Sequence, residues 1–154
     1  MYWALFINYL VTTSNIFALI PIIRLLSEKA HGKAFFVSVT ALSSFLMHLS
    51  ETKHRLPGIA WQRFGYYFIW LDRIMATICG LFIGYDLFVD YKKSHSIIGY
   101  KSIMTRLLLI KIIFGLSCNA LSERFDPIAN NHSLFAFFHI IWHYLAYDTI
   151  NEVF

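Results

Sequence analysis

The run AFFVSVTALSSFLMHLS, Ala34 to Ser50, holds seventeen residues with no carboxylate, lysine or arginine, and its one titratable side chain is His48. A helix rises about 1.5 Å per residue and the hydrocarbon core of a bilayer is about 30 Å thick, so this run with its flanks reads as a membrane-crossing helix. Working outward from it, further apolar segments separated by short polar ones give helices at 3–26, 34–51, 65–89, 103–122 and 133–150. The expected fold is all-α, an integral membrane bundle of about five transmembrane helices, with the whole chain, 1–154, forming one multi-pass domain. No internal repeat, low-complexity tract or linker divides it.

The composition agrees with that reading. Apolar residues make up 58% of the 154, aromatics 18% and charged residues only 14%, against roughly a quarter charged in soluble domains. The net charge of +4 comes from Lys and Arg scattered between apolar runs, which suits loops at lipid headgroups and gives no reason to expect nucleic acid as a partner. The 21-residue run Trp3–Ile23 has no basic segment before it and no small-residue cleavage site after it, so it is expected to be a retained helix. Cys79 and Cys118 each lie inside an apolar run away from any Cys or His at metal-ligand spacing, and read as packed thiols.

The polar separators locate the ends. Pro21 lies within the first helix, which a membrane bundle tolerates, and Arg24 to Lys33 forms a charged loop with Gly32 as its stop signal. The charged stretch from Glu51 ends in the turn pair Pro57 and Gly58, and is followed by interfacial aromatics, among them Trp61, Tyr66, Tyr67 and Trp70. Arg106 and Lys111, read as near the start of the fourth helix, are expected to snorkel towards headgroups. Asp72 in the third helix is too short for that. The last helix follows Asp126, Pro127 and the polar run Asn130 to Ser133, and ends near Asp148.

An ionisable group inside a membrane helix costs a few kcal/mol even on the lenient insertion scale of about 2.5–3.5, so each needs a partner or a function. His139 and His143 stand four apart, on one helical face and about 6 Å apart at the backbone, close enough to share one ion. Two packed, hydrogen-bonded histidines are the competing account of that pair. Ser44 and His48 repeat the spacing, their plainer account being a serine bonded back to its own helix and a lone interfacial histidine. Asp72 is read either as an ion pair with Arg73 or as part of a site. Alternating helix direction puts the end of the second helix, the start of the third and the start of the fifth at one membrane face. All five side chains then share one leaflet, and three histidines with an adjacent acid become one candidate site.

The pattern of Ser44 and His48 four apart, then Asp72, then His139 and His143 four apart near the C-terminus resembles the signature of the CREST superfamily of membrane hydrolases. That superfamily includes alkaline ceramidases, progestin and adipoQ receptors, the remodelling enzymes of GPI anchors and myomaker-like proteins. The resemblance covers Ser44 to His143, about two thirds of the chain. It implies zinc held by His48, His139 and His143, with Asp72 contacting the water on the metal and Ser44 assisting. Family members have seven helices, whereas 67 positions between Asp72 and His139 hold only one complete helix besides the ends of two others. Loss of two consecutive helices preserves the direction of the last one, so the site still assembles.

The function so implied is zinc-dependent hydrolysis of an amide or ester in a membrane lipid, with Asp72 as base and Ser44 as donor to the oxyanion. A non-enzymatic receptor or fusion-type protein, stapled by a structural zinc, is the alternative. A b-type haem protein with histidines from helices two and five leaves Asp72 and Ser44 unexplained. Association into a homo-oligomer is left open. Basic residues set the expected orientation: Arg24, Lys29, Lys33, Lys92, Lys93, Lys101 and Arg106 gather on one face, against Lys53, Arg55, Arg63, Arg73 and Arg124 on the other. Seven against five favours a cytoplasmic C-terminus and a site facing the lumen or exterior.

Overall fold

A computed structural model describes residues 2–51, 56–94, 100–125 and 131–154. Among them there is no strand. The helices are α1 (Tyr2–Thr13), a 3-10 turn (Ser14–Ala18), α2 (Leu19–Ser27), α3 (His31–Leu49), a short 3-10 turn (Gln62–Phe64), α4 (Gly65–Ser94), α5 (Tyr100–Phe125) and α6 (His132–Val153). The all-α expectation holds, and the five expected helical segments are recovered with ends shifted by up to five residues. Three stretches, Tyr2–Ser27, His31–Leu49 and Gln62–Val89, are long and apolar enough to cross a membrane. The expected loop signals at 52–55 and 126–130, including Lys53, Arg55, Asp126, Pro127 and Asn130, lie outside the described residues.

Two local readings change. The first span is not one continuous α-helix but breaks at Ser14–Ala18. Pro21 supplies the physical reason, since it lacks an N–H and its ring crowds the carbonyl of Phe17, four residues back. The turn between α2 and α3 stops at Lys29, in the left-handed conformation at φ 59°, and not at Gly32, which is already in α3. Lys29 N–H donates to Leu26 O at 3.1 Å and Ala30 N–H to Leu25 O at 2.8 Å, the paired bonds that close a helix end.

The core forms where α1, α2, α3 and α6 meet. Near the lower end Leu25, Val37, Ala41, Tyr147 and Ile150 are packed together; near the upper end Ile7, Val11, Leu56, Phe135 and Ala136 form a second cluster. Helix α5 packs along α6, whereas α4 lies mainly on α3 and touches α6 only lightly. On α4, Cys79 is the one buried side chain among the described residues, and Leu81, Phe82, Tyr85 and Phe88 face outward. In a bilayer such a face meets lipid tails at no cost.

Lys111 departs from the snorkelling expectation. It lies in the middle of α5 and pairs with Asp148 of α6 at 2.7 Å and with Glu152 one turn further on. Helix α6 presents two carboxylates four residues apart at that level, so an ion cluster between helices replaces a reach to the headgroups.

Candidate metal centre

The upper half of the bundle gathers three imidazoles. His48 comes from the last turn of α3, and His139 and His143 from the inward face of α6, a row of every fourth residue that also contains Phe135 and Tyr147. All three rings are buried, His48 completely. Ring centroids lie 4.7 Å apart for His48 and His139, 5.3 Å for His48 and His143, and 4.7 Å for His139 and His143. One nitrogen from each lies within 4.8 Å of the others, close enough together to hold a metal ion.

Outer hydrogen bonds fix which nitrogen faces inward. Ser14 Oγ donates to the Val11 carbonyl at 2.6 Å, and His143 Nδ1 stands 2.6 Å from the same oxygen. A hydroxyl has one proton. With that proton committed to Val11, the oxygen accepts from Nδ1–H of His143. Ser122 repeats the arrangement, donating to Asn119 O at 2.7 Å with His139 Nδ1 at 3.2 Å. The carboxylate of Glu51, an acceptor, stands 3.3 Å from His48 Nδ1. Nδ1 of each ring is thus held on the outer side, and protonation there leaves Nε2 of each ring as the donor atom available to an ion at the centre.

On the inner side, Nε2 of His48 and Nε2 of His139 are 3.0 Å apart. With both nitrogens unprotonated, a shared metal ion would satisfy the two lone pairs. A tetrahedral zinc with Zn–N of about 2.0–2.1 Å separates its nitrogens by roughly 3.4 Å, and the distances here bracket that value. An imidazole whose outer N–H is tied to a hydroxyl, carbonyl or carboxylate is also the usual form of a metal-ligating histidine. The donor set fits zinc.

The expected companions are present. Ser44 Oγ lies 3.4 Å from His143 Nε2, and Asp72 faces Ser44 with His48, Arg73 and Glu51 in electrostatic reach. Ser44, Asp72 and the three histidines all line one cavity of about 800 Å³. It runs between α4 on one side and α5 and α6 on the other, past Ala76, Gly80 and Gly84, to Leu87 and Lys111. From Asp72 to Leu87 is a rise of about 22 Å along α4. The cavity thus has a polar head among the histidines and a long, mainly apolar body. Arg73 points outward over the Trp70 ring at 5.8 Å.

Three side chains at the centre were not singled out by sequence reasoning: Ser14, Glu51 and Ser122. A usable signal existed for Ser14, since Thr12, Thr13, Ser14 and Asn15 form a polar run in the middle of an apolar span. Three of the four are buried, and Asn15 accepts from the Tyr147 hydroxyl at 2.8 Å. The break in the first span is what brings Ser14 to His143. A 3-10 turn inside a helix often marks a functional position.

The chain is thereby defined as an all-α protein with three helical stretches long and apolar enough to cross a membrane and three buried histidines gathered at the head of an elongated cavity. No family model matches the chain, and neither does any curated protein or solved structure.

Proposed function

We propose that the chain is a zinc-dependent intramembrane hydrolase, resembling a shortened CREST enzyme, that cleaves an amide or ester bond of a membrane lipid. On this reading all five helical segments cross the bilayer, and the histidine end faces the lumen or exterior. One observation carries the proposal: a ring nitrogen from each of three buried histidines converges where Asp72 and Ser44 line the same cavity.

His48, His139 and His143 would hold the ion, three protein ligands being the number that leaves a fourth position for chemistry. Bound zinc supplies Lewis acidity, lowering the pKa of water to about 7 and polarising a carbonyl. Asp72 is not a ligand in this reading. It takes a proton from the attacking water and returns it to the departing amine or alcohol. Ser44, between His143 and Asp72, donates a hydrogen bond to the oxygen on which negative charge develops. The apolar body of the cavity takes the hydrocarbon part of the lipid and keeps bulk water away from the head.

The test is incubation of the purified protein in detergent with a panel of lipid amides and esters, with and without a zinc chelator. Release of fatty acid that stops on chelation is expected. Zinc-containing protein that cleaves nothing in the panel would favour the structural-zinc receptor or fusion reading instead.

A further inference from the structure

We propose that Glu51 is a positioning residue of the metal centre: it holds His48 in the ligating orientation, and the Leu56–Ala60 connection holds Glu51 in turn. The proposal rests on the reading of His48, His139 and His143 as metal ligands.

Glu51 lies two residues beyond the end of α3, where a charged side chain would ordinarily reach for water. Here it turns back. Its backbone N–H donates to the His48 carbonyl at 3.3 Å and its carboxylate accepts from His48 Nδ1 at 3.3 Å, with both side chains fully buried. The other two rings rest on neutral hydroxyls, Ser122 for His139 and Ser14 for His143. An anion behind an imidazole N–H pushes electron density to the opposite nitrogen and makes it a stronger donor to a metal. Glu51 therefore sets both the basicity and the orientation of His48 from outside.

The connection after Glu51 is built to keep it there. Ile59 and Ala60 both donate to the Leu49 carbonyl, at 2.8 and 2.9 Å, folding the chain back over the end of α3. Asn8 of α1 donates to the Pro57 carbonyl at 3.0 Å, and Leu56, 2% exposed, is packed among Ile7, Val11, Phe135 and Ala136. Gly58 lies directly on Glu51. A Cβ at that position would come within 2.9 Å of the Glu51 carbonyl oxygen and 2.7 Å of Gln62 Cγ. Any side chain there displaces the backbone that carries the carboxylate.

The experiment measures zinc affinity of the full-length protein in detergent by chelator competition, for wild type, Glu51→Ala, Glu51→Gln, Gly58→Ala and His48→Ala. Cobalt-substituted spectra report ligand geometry, and thermal unfolding in excess chelator reports the metal-free fold. Glu51→Ala should weaken zinc binding about 10–100-fold, the usual effect of removing such an outer partner. Glu51→Gln, whose amide oxygen still accepts, should weaken it less while altering the cobalt spectrum, and it remains informative if the alanine variant does not fold. Gly58→Ala should weaken binding in the same direction. Wild-type affinity and spectra in both Glu51 variants, with binding lost in His48→Ala, would overturn the role of Glu51 alone. Wild-type affinity in His48→Ala as well would overturn the ligand assignment beneath it.

Discussion

His48 Nε2 on α3 and His139 Nε2 on α6 face each other at 3.0 Å, and both rings are bonded through Nδ1 on their outer side, to Glu51 and Ser122. A hydrophobic contact would not arrange two acceptors in this way. A metal ion between them would accept the lone pairs of both nitrogens. The functional account follows from that relationship, since the same nitrogens open onto the cavity that Asp72 and Ser44 line.

Asp72→Asn separates base from ligand. The amide keeps the size of the side chain but accepts a proton poorly, so zinc content should stay near that of wild type while hydrolysis falls by about 100-fold or more, the range for losing a general base. Elemental analysis beside a fatty-acid release assay checks both. Retained hydrolysis would remove Asp72 from the mechanism.

Ser14→Ala takes away the acceptor for His143 Nδ1–H inside the bundle. The expected loss of stability is about 1–3 kcal/mol, as for other buried polar groups left unpaired. Thr13→Ala is the control: that hydroxyl is exposed and bonds only to Tyr9 and Leu10 carbonyls of its own helix, so its removal should cost less than about 0.5 kcal/mol. Equal effects in unfolding experiments would mean that the Ser14 contact to His143 contributes nothing.

Gly84→Leu tests the body of the cavity. A Cβ at Gly84 has nothing within 4 Å, and the residue lines the cavity well below the histidines. Leu also restores about 1 kcal/mol of helix propensity relative to Gly, so the fold should persist with its metal. Hydrolysis of long-chain lipids should fall by roughly tenfold or more, the effect of losing about 1.4 kcal/mol of binding, and short-chain analogues should be spared. Equal loss for both chain lengths would show that the substrate does not extend along α4.

Lys111→Leu removes the cation that Asp148 and Glu152 share. Two carboxylates one turn apart then repel within the bundle. Stranding a buried charge is costly and partial exposure moderates it, so destabilisation on the order of 1–3 kcal/mol is expected. Adding Asp148→Asn should recover part of it, with zinc content unaffected throughout. A variant as stable as wild type would show that the cluster does not hold α5 to α6.

Much of this architecture was legible in particular residues. The uncharged run before His48 and the four-residue spacings of Ser44 with His48 and of His139 with His143 fixed the helices and one face of each. Antiparallel alternation then placed Asp72 at the right end. What the pattern did not yield was the outer layer. Ser122 reaches His139 only because of the rotation of α5 against α6, which periodicity does not encode. Glu51 looked like one charge in a polar loop because its burial depends on how closely Gly58 and the segment after it lie against the end of α3. Lys111 looked like an interfacial cation because its partners lie 37 and 41 positions away on α6.

The most direct measurement is metal content. Wild-type protein, His48→Ala, His139→Ala, His143→Ala and the controls His95→Ala and His132→Ala would be purified in detergent and analysed for bound metals. The account predicts close to one zinc per chain in wild type and both controls, and severe loss in each of the other three. Metal-free wild type, or zinc undiminished in His48→Ala, would contradict it.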